Sequence, residues 1–223
     1  MKHLNQYKNY SFDLKALPLY ITEYIVKKKL DKPIDSEDHY DYFPETKKEL
    51  IKNIVEVFNS GKTNLNCIDT SKITDMSNLF DSGNYNKSLD NIDISKWNVS
   101  NVKYMQFMFD GYENFNCDLS NWDVSKVENM KGMFSWCIKF NCDLSKWNVN
   151  NVTNMDFMFD NCKNFDCNLS NWDVHNVISM KYMFANCVNF KAEGIEKWNI
   201  NKVRYMDFMF DNCMKLKKIP SWY

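Results

Sequence analysis

The sequence predicts an α/β repeat protein: a curved solenoid of about six strand-helix coils of ~25 residues each, with an N-terminal helical cap. Three observations predict it. Six of the seven Trp stand on one ladder, Trp97, Trp122, Trp147, Trp172, Trp198 and Trp222, in steps of 25, 25, 25, 26 and 24. Met105, Met130, Met155, Met180 and Met206 each follow a ladder Trp by eight residues, and Met108, Met133, Met158, Met183 and Met209 come three later, each trailed by Phe. Ahead of the array, Thr46-x-x-Glu49 is a capping box, with Leu50, Ile54, Val57 and Phe58 at helical spacing behind it.

The elements follow in chain order. Residues 1–43 read as a separate N-terminal segment, helical over Leu14, Leu17, Tyr20, Ile21, Tyr24 and Ile25, then an acidic loop, DSEDHYDYF. Residues 44–62 read as the cap helix, closed near Gly61, and 63–223 as the repeat array. The first copy is degenerate: Ile68 replaces Trp, Met76 and Leu79 take the Met positions, and four extra residues between Asp81 and Lys96 form a loop insertion. In each later copy, L-S-x-W-[DN]-V alternates as a half-buried strand, for example Leu119 to Val124. V-x-x-M-x-x-M-F then spaces its apolar residues as one stripe of a helix, with Ser125 and Glu128 as a capping-box pattern at one such start. A further Phe follows at Phe115, Phe140, Phe165 and Phe190, with Leu216 in the last copy.

One 25-residue unit cannot bury a Trp, two Met and two Phe by itself, whereas stacked units can. Strands would sit ~4.8 Å apart and packed helices 8–10 Å, so the stack should curve with strands inside, as leucine-rich repeats do. The sequence DLSNWDVSKVENMKGMF and its sister copies resemble the BspA-like leucine-rich-repeat proteins, the Trp- and Met-rich repeat of bacterial surface lipoproteins. The lead-in FPETKKELIKNIVEVFNSGKTNLNCIDTSKITDMSNLF is similar to the start of such arrays, and the resemblance spans roughly 42–223. It implies a module that binds other proteins or host surfaces, and it implies no catalytic residues.

Composition narrows the partners. A net charge of −1 removes the basic surface that nucleic acid requires. No apolar run approaches the ~20 residues of a membrane span. The N-terminus lacks the apolar stretch and cleavage site of a signal peptide, which suggests a cytoplasmic chain where the resemblance suggests the cell surface. The expectation is a monomer taking a protein or cell-surface ligand, adhesin-like, or else an intracellular scaffold or effector. Five sequons, at Asn9, Asn86, Asn98, Asn151 and Asn168, matter only in a eukaryotic secretory pathway.

Little here suits catalysis, and no cofactor is implied. His3 and His39 lie outside the array, and His175 fills a variable slot. Cys137, Cys162, Cys187 and Cys213 form one column, and Cys117, Cys142 and Cys167 another. Buried reduced thiols suit these positions best; disulfides along a column and a Cys-x4-Cys zinc site are the alternatives. Asn98, Asp123, Asn148, Asp173 and Asn199 could bind Ca²⁺, but strand polarity or turn-forming hydrogen bonds explain them more simply.

One column departs from the core pattern. On a helical wheel Phe107 lies about 170° from the Met stripe, and Phe157, Tyr182 and Phe208 share its position. Four outward aromatics in register are a candidate partner-binding surface. Should the helices be short irregular turns, the same rings would instead fold back on neighbouring coils.

Overall fold

A computed structural model describes residues 40–80 and 91–223. The chain divides into two compact units, Met1–His39 and Tyr40–Tyr223, and every described residue belongs to the second. The helix expected around Leu14 to Ile25, His3, His39 and the core of the insertion after Phe80 lie outside the described residues.

Helix α1 runs Lys47–Asn59 with Thr46 as N-cap. The Glu49 N–H donates to Thr46 Oγ1 (3.2 Å) and the Thr46 N–H to Glu49 Oε2 (3.3 Å), the reciprocal capping box. The helix stops where Gly61 turns to φ 82° and its N–H donates to the Phe58 carbonyl. Leu50, Ile54, Val57 and Phe58 are buried, each worth about 1.5–3 kcal/mol of apolar transfer. Lys47 Nζ ties the helix to the first repeat through Ser77 Oγ at 2.9 Å.

The strand-helix coil itself does not form. Among the described residues α1 is the one α-helix, joined by a single 3-10 turn at Ile195–Lys197. Parallel pairing shrinks to isolated bridges that step from Asp75 to Tyr104, Asn129, Asn154, Ser179 and Tyr205. The curvature expected from strands on one side and helices on the other loses its basis with them.

Two local features explain the correction. The segment read as a strand is a pair of tight corners: Trp122 N–H donates to the Leu119 carbonyl and Val127 N–H to that of Val124. Each corner is set by an Asp accepting from the backbone two residues on, Asp118 Oδ1 from Ser120 (2.9 Å) and Asp123 Oδ1 from Ser125 (3.0 Å). Asn98, Asn148, Asp173 and Asn199 close turns in the same way. Ser125 thus belongs to a turn, and it caps no helix.

The segment read as a helix spends its donors elsewhere. Met105, Phe107, Phe109 and Gly111 donate to the carbonyls of Asn129, Lys131, Met133 and Ser135, one repeat further on, at 2.8–3.0 Å. A helix would need those N–H groups for its own i−4 carbonyls. The backbone can send alternate donors outward because two positions per repeat are left-handed. One column is Asn78, Phe107, Gly132, Phe157, Tyr182 and Phe208, with φ from 48° to 59°. The other is Gly111, Trp136, Asn161, Asn186 and Asn212. An apolar spacing of three therefore marks stacked turns here.

Stacking in register builds the core. Phe80, Phe109, Phe134, Phe159, Phe184 and Phe210 form a column with centroids 5.4–5.9 Å apart and planes 16° or less from parallel. Phe115, Phe140, Phe165 and Phe190 nest beside it at 4.0–4.2 Å. Each such pair contributes about 0.5–1.5 kcal/mol beyond burial. Five ladder Trp, Trp97 to Trp198, are buried and Trp222 is half-buried, and each indole N–H reaches a backbone carbonyl of the preceding repeat, Trp147 to Leu119 at 3.1 Å and Trp172 to Leu144 at 2.9 Å.

Candidate contact surface

No helix exists at the column read from the helical wheel: its left-handed turns leave Phe107, Phe157 and Tyr182 half-buried and Phe208 exposed, with rings folded against neighbouring repeats. Phe157 and Tyr182 stack at 5.0 Å with planes 6° apart, and Tyr182 and Phe208 at 4.9 Å with planes 19° apart. Phe157 and Tyr182 remain half-buried by this stacking, and Phe208 is 57% exposed. The rings lean on neighbouring repeats and present a continuous aromatic edge to solvent.

Phe107 joins the stripe indirectly. Gly132 occupies the intervening repeat, and a Cβ there would fall 2.4 Å from the Phe107 ring, so that ring lies across the glycine. Lys131 bridges the break: its Nζ lies 5.8 Å from the Phe107 centroid and 5.9 Å from that of Phe157. Beside the open end, Lys181 Nζ lies 4.9 Å from the Tyr205 ring and 3.1 Å from Asp207 Oδ2. The hydrogen bond that Lys181 donates to Asp207 holds its ammonium above the usual range. The stripe is thus apolar, flanked by lysines, with Tyr205 half exposed at its edge.

Lys131, Lys181 and Tyr205 were missed from the sequence. A signal existed: Asn78 and Gly132 share a column with the aromatics, and Asn and Gly at one repeat position mark a left-handed residue.

The remaining candidates are quieter. Cys137, Cys162, Cys187 and Cys213 are free thiols donating to the carbonyls of Phe109, Phe134, Phe159 and Phe184 at 2.9–3.0 Å. Burial pushes Cys137, Cys162 and Cys187 well above the usual thiol range and Cys213 to about 12. In the second column burial raises Cys142 to about 11, and its sulfur accepts from the Leu119 N–H at 3.1 Å. Among the described residues no three His, Cys, Asp or Glu converge as metal ligands. His175 Nδ1 faces Asp173 Oδ1 at 2.9 Å. An open depression near Lys103, Lys126 and Lys202 is lined by committed groups: Lys126 and Lys202 each bond an Asn Oδ1, and Lys103 pairs with Glu128.

Stacked 25-residue turns, aromatic columns inside and an aromatic edge outside define a repeat protein. It belongs to the family described as "Mycoplasma protein of unknown function, DUF285", whose model matches residues 49–164 and 138–223. The two matches overlap over 138–164, as a repeating sequence allows. No curated protein and no solved structure matches the chain. No helix among the described residues is long and apolar enough to cross a membrane.

Proposed function

We propose that the chain is a non-catalytic binding module, adhesin-like or otherwise given to surface interactions, acting as a monomer on a protein or cell-surface ligand. Phe107, Phe157, Tyr182 and Phe208 make the contact. The supporting observation lies in the backbone: these four aromatics hold φ between 54° and 58°, where Gly132 and Asn78 make the same turn in other repeats. Left-handed backbone costs an ordinary L-residue about 1–2 kcal/mol. Turn formation alone gives no reason to place bulky rings there; contact with a partner does. The resemblance to BspA-like surface proteins supports the same reading.

Labelled wild-type chain and a Phe157→Ser/Phe208→Ser variant, titrated onto intact source cells and onto their soluble extract, test this. The expected result is saturable binding that weakens about tenfold or more in a variant that still folds. Equal binding by the two chains, or none that saturates, contradicts it. A second reading, an intracellular scaffold or effector, draws support from eight free thiols. Protease shaving of intact source cells separates the two, since only a surface protein is lost.

A further inference from the structure

Trp136 is the one Trp off the ladder, and it lies outside the buried core. It occupies the second left-handed column, where the other described repeats carry Gly111, Asn161, Asn186 and Asn212. Those residues adopt positive φ easily, whereas Trp136 holds φ 60° with a bulky ring and leaves that ring 48% exposed. Its N–H makes the ordinary bond of its column, to the Asp160 carbonyl at 2.7 Å, which any residue would make. Its neighbour one repeat back, Gly111, leaves open space: a Cβ built there meets nothing within 4 Å.

Two carboxylates stand in the repeats on either side of Trp136. Asp110 precedes Gly111, and Asp160 lies in the repeat after Trp136. Neither carboxylate has an ion-pair partner among the described residues. Asp160 accepts only neutral donors, Asn161 Nδ2 at 2.9 Å and Asn186 Nδ2 at 3.2 Å. Burial, with a smaller contribution from the charge of Asp110, lifts its carboxyl above the usual range. An indole face is the strongest cation–π acceptor among side chains, and a guanidinium both stacks flat on it and forks to a carboxylate.

We propose that Trp136, with Asp110 and Asp160 to either side of it along the stack, is a recognition site for the guanidinium group of an arginine side chain on a partner polypeptide. The cation fills the space over Gly111, lies against the indole and neutralises Asp110. This site shares no residue with the Phe107–Phe208 stripe, so either can fail without the other.

The test uses the full chain and two short blocked peptides, glycyl-arginyl-glycine and its citrulline counterpart, which keeps the shape and loses the charge. The readout is the Trp136 indole N–H resonance, assigned by its absence from Trp136→Asn. The arginine peptide at tens of millimolar is expected to shift that resonance saturably, and the citrulline peptide to leave it in place. Asp110→Asn, an exposed position, is expected to weaken the effect about tenfold. Trp136→Asn restores the residue type of three sister repeats and is expected to raise Tm by about 2–4 °C. No shift with arginine, an equal shift with citrulline, or an unchanged affinity in Asp110→Asn overturns the proposal. So does a fall in Tm on Trp136→Asn, which would make the indole a structural group.

Discussion

At the scale of single residues, backbone handedness decides this molecule. Gly194 illustrates how little freedom remains: at φ 86° its Cβ, were there one, would meet Ser170 Cβ at 2.3 Å and Ser170 Cα at 3.1 Å. Both positions are fixed by the main chain of the preceding repeat, so neither atom can swing aside. Gly194→Ala should therefore destabilise by about 2–4 kcal/mol, read as a lower urea midpoint with unchanged slope. Gly61 and Gly111 have the same handedness and open space, so alanine there should cost only the left-handed penalty, about 1–2 kcal/mol. Equal losses at Gly194 and Gly111 would show that the repeats are not packed this closely.

At the scale of elements, α1 was legible because its signals are local. Thr46, Glu49 and the i, i+4, i+7, i+8 apolar set specify start, face and length without reference to the rest of the chain. Thr46→Ala removes the cap acceptor and should cost about 1 kcal/mol, measured by chemical unfolding, while a Thr46→Asp chain keeps its stability. The repeat was misread for the opposite reason. Val102, Met105, Met108 and Phe109 have the spacing of a helix face, but Met105, Phe107 and Phe109 give their N–H groups to the next repeat. A single repeat carries no record of that exchange. The alternation from Leu119 to Val124 likewise imitated a strand, when Asp118 and Asp123 were folding it into corners. Comparison down the columns, where Asn and Gly recur at two fixed positions, held the missing information.

At the scale of the whole molecule, identical contacts recur from repeat to repeat, and this makes the interior chemically inert. Cys137, Cys162 and Cys187 are buried, hydrogen-bonded to carbonyls and raised well above the usual thiol range by burial. Native protein at pH 8 should thus leave these three unmodified by iodoacetamide over hours, and all eight should react once urea unfolds the chain. Mass-mapped labelling of Cys162 in native conditions would show that the stack opens locally.

The outer aromatic column is the contact surface we propose, and its energetics can be separated from those of the core. Replacing Phe157, Tyr182 and Phe208 by Asn relieves about 1–2 kcal/mol of left-handed strain at each position. The change forfeits two ring stacks of about 0.5–1.5 kcal/mol each and partial burial of two rings. The gains and losses nearly cancel. The most direct measurement is the unfolding free energy of that triple variant beside Phe159→Ala, a fully buried ring of the inner column. The account predicts a change within about 2 kcal/mol for the triple variant against a loss of about 3–5 kcal/mol for Phe159→Ala. A loss in the triple variant as large as that of Phe159→Ala would contradict it, and would place the outer rings with the core.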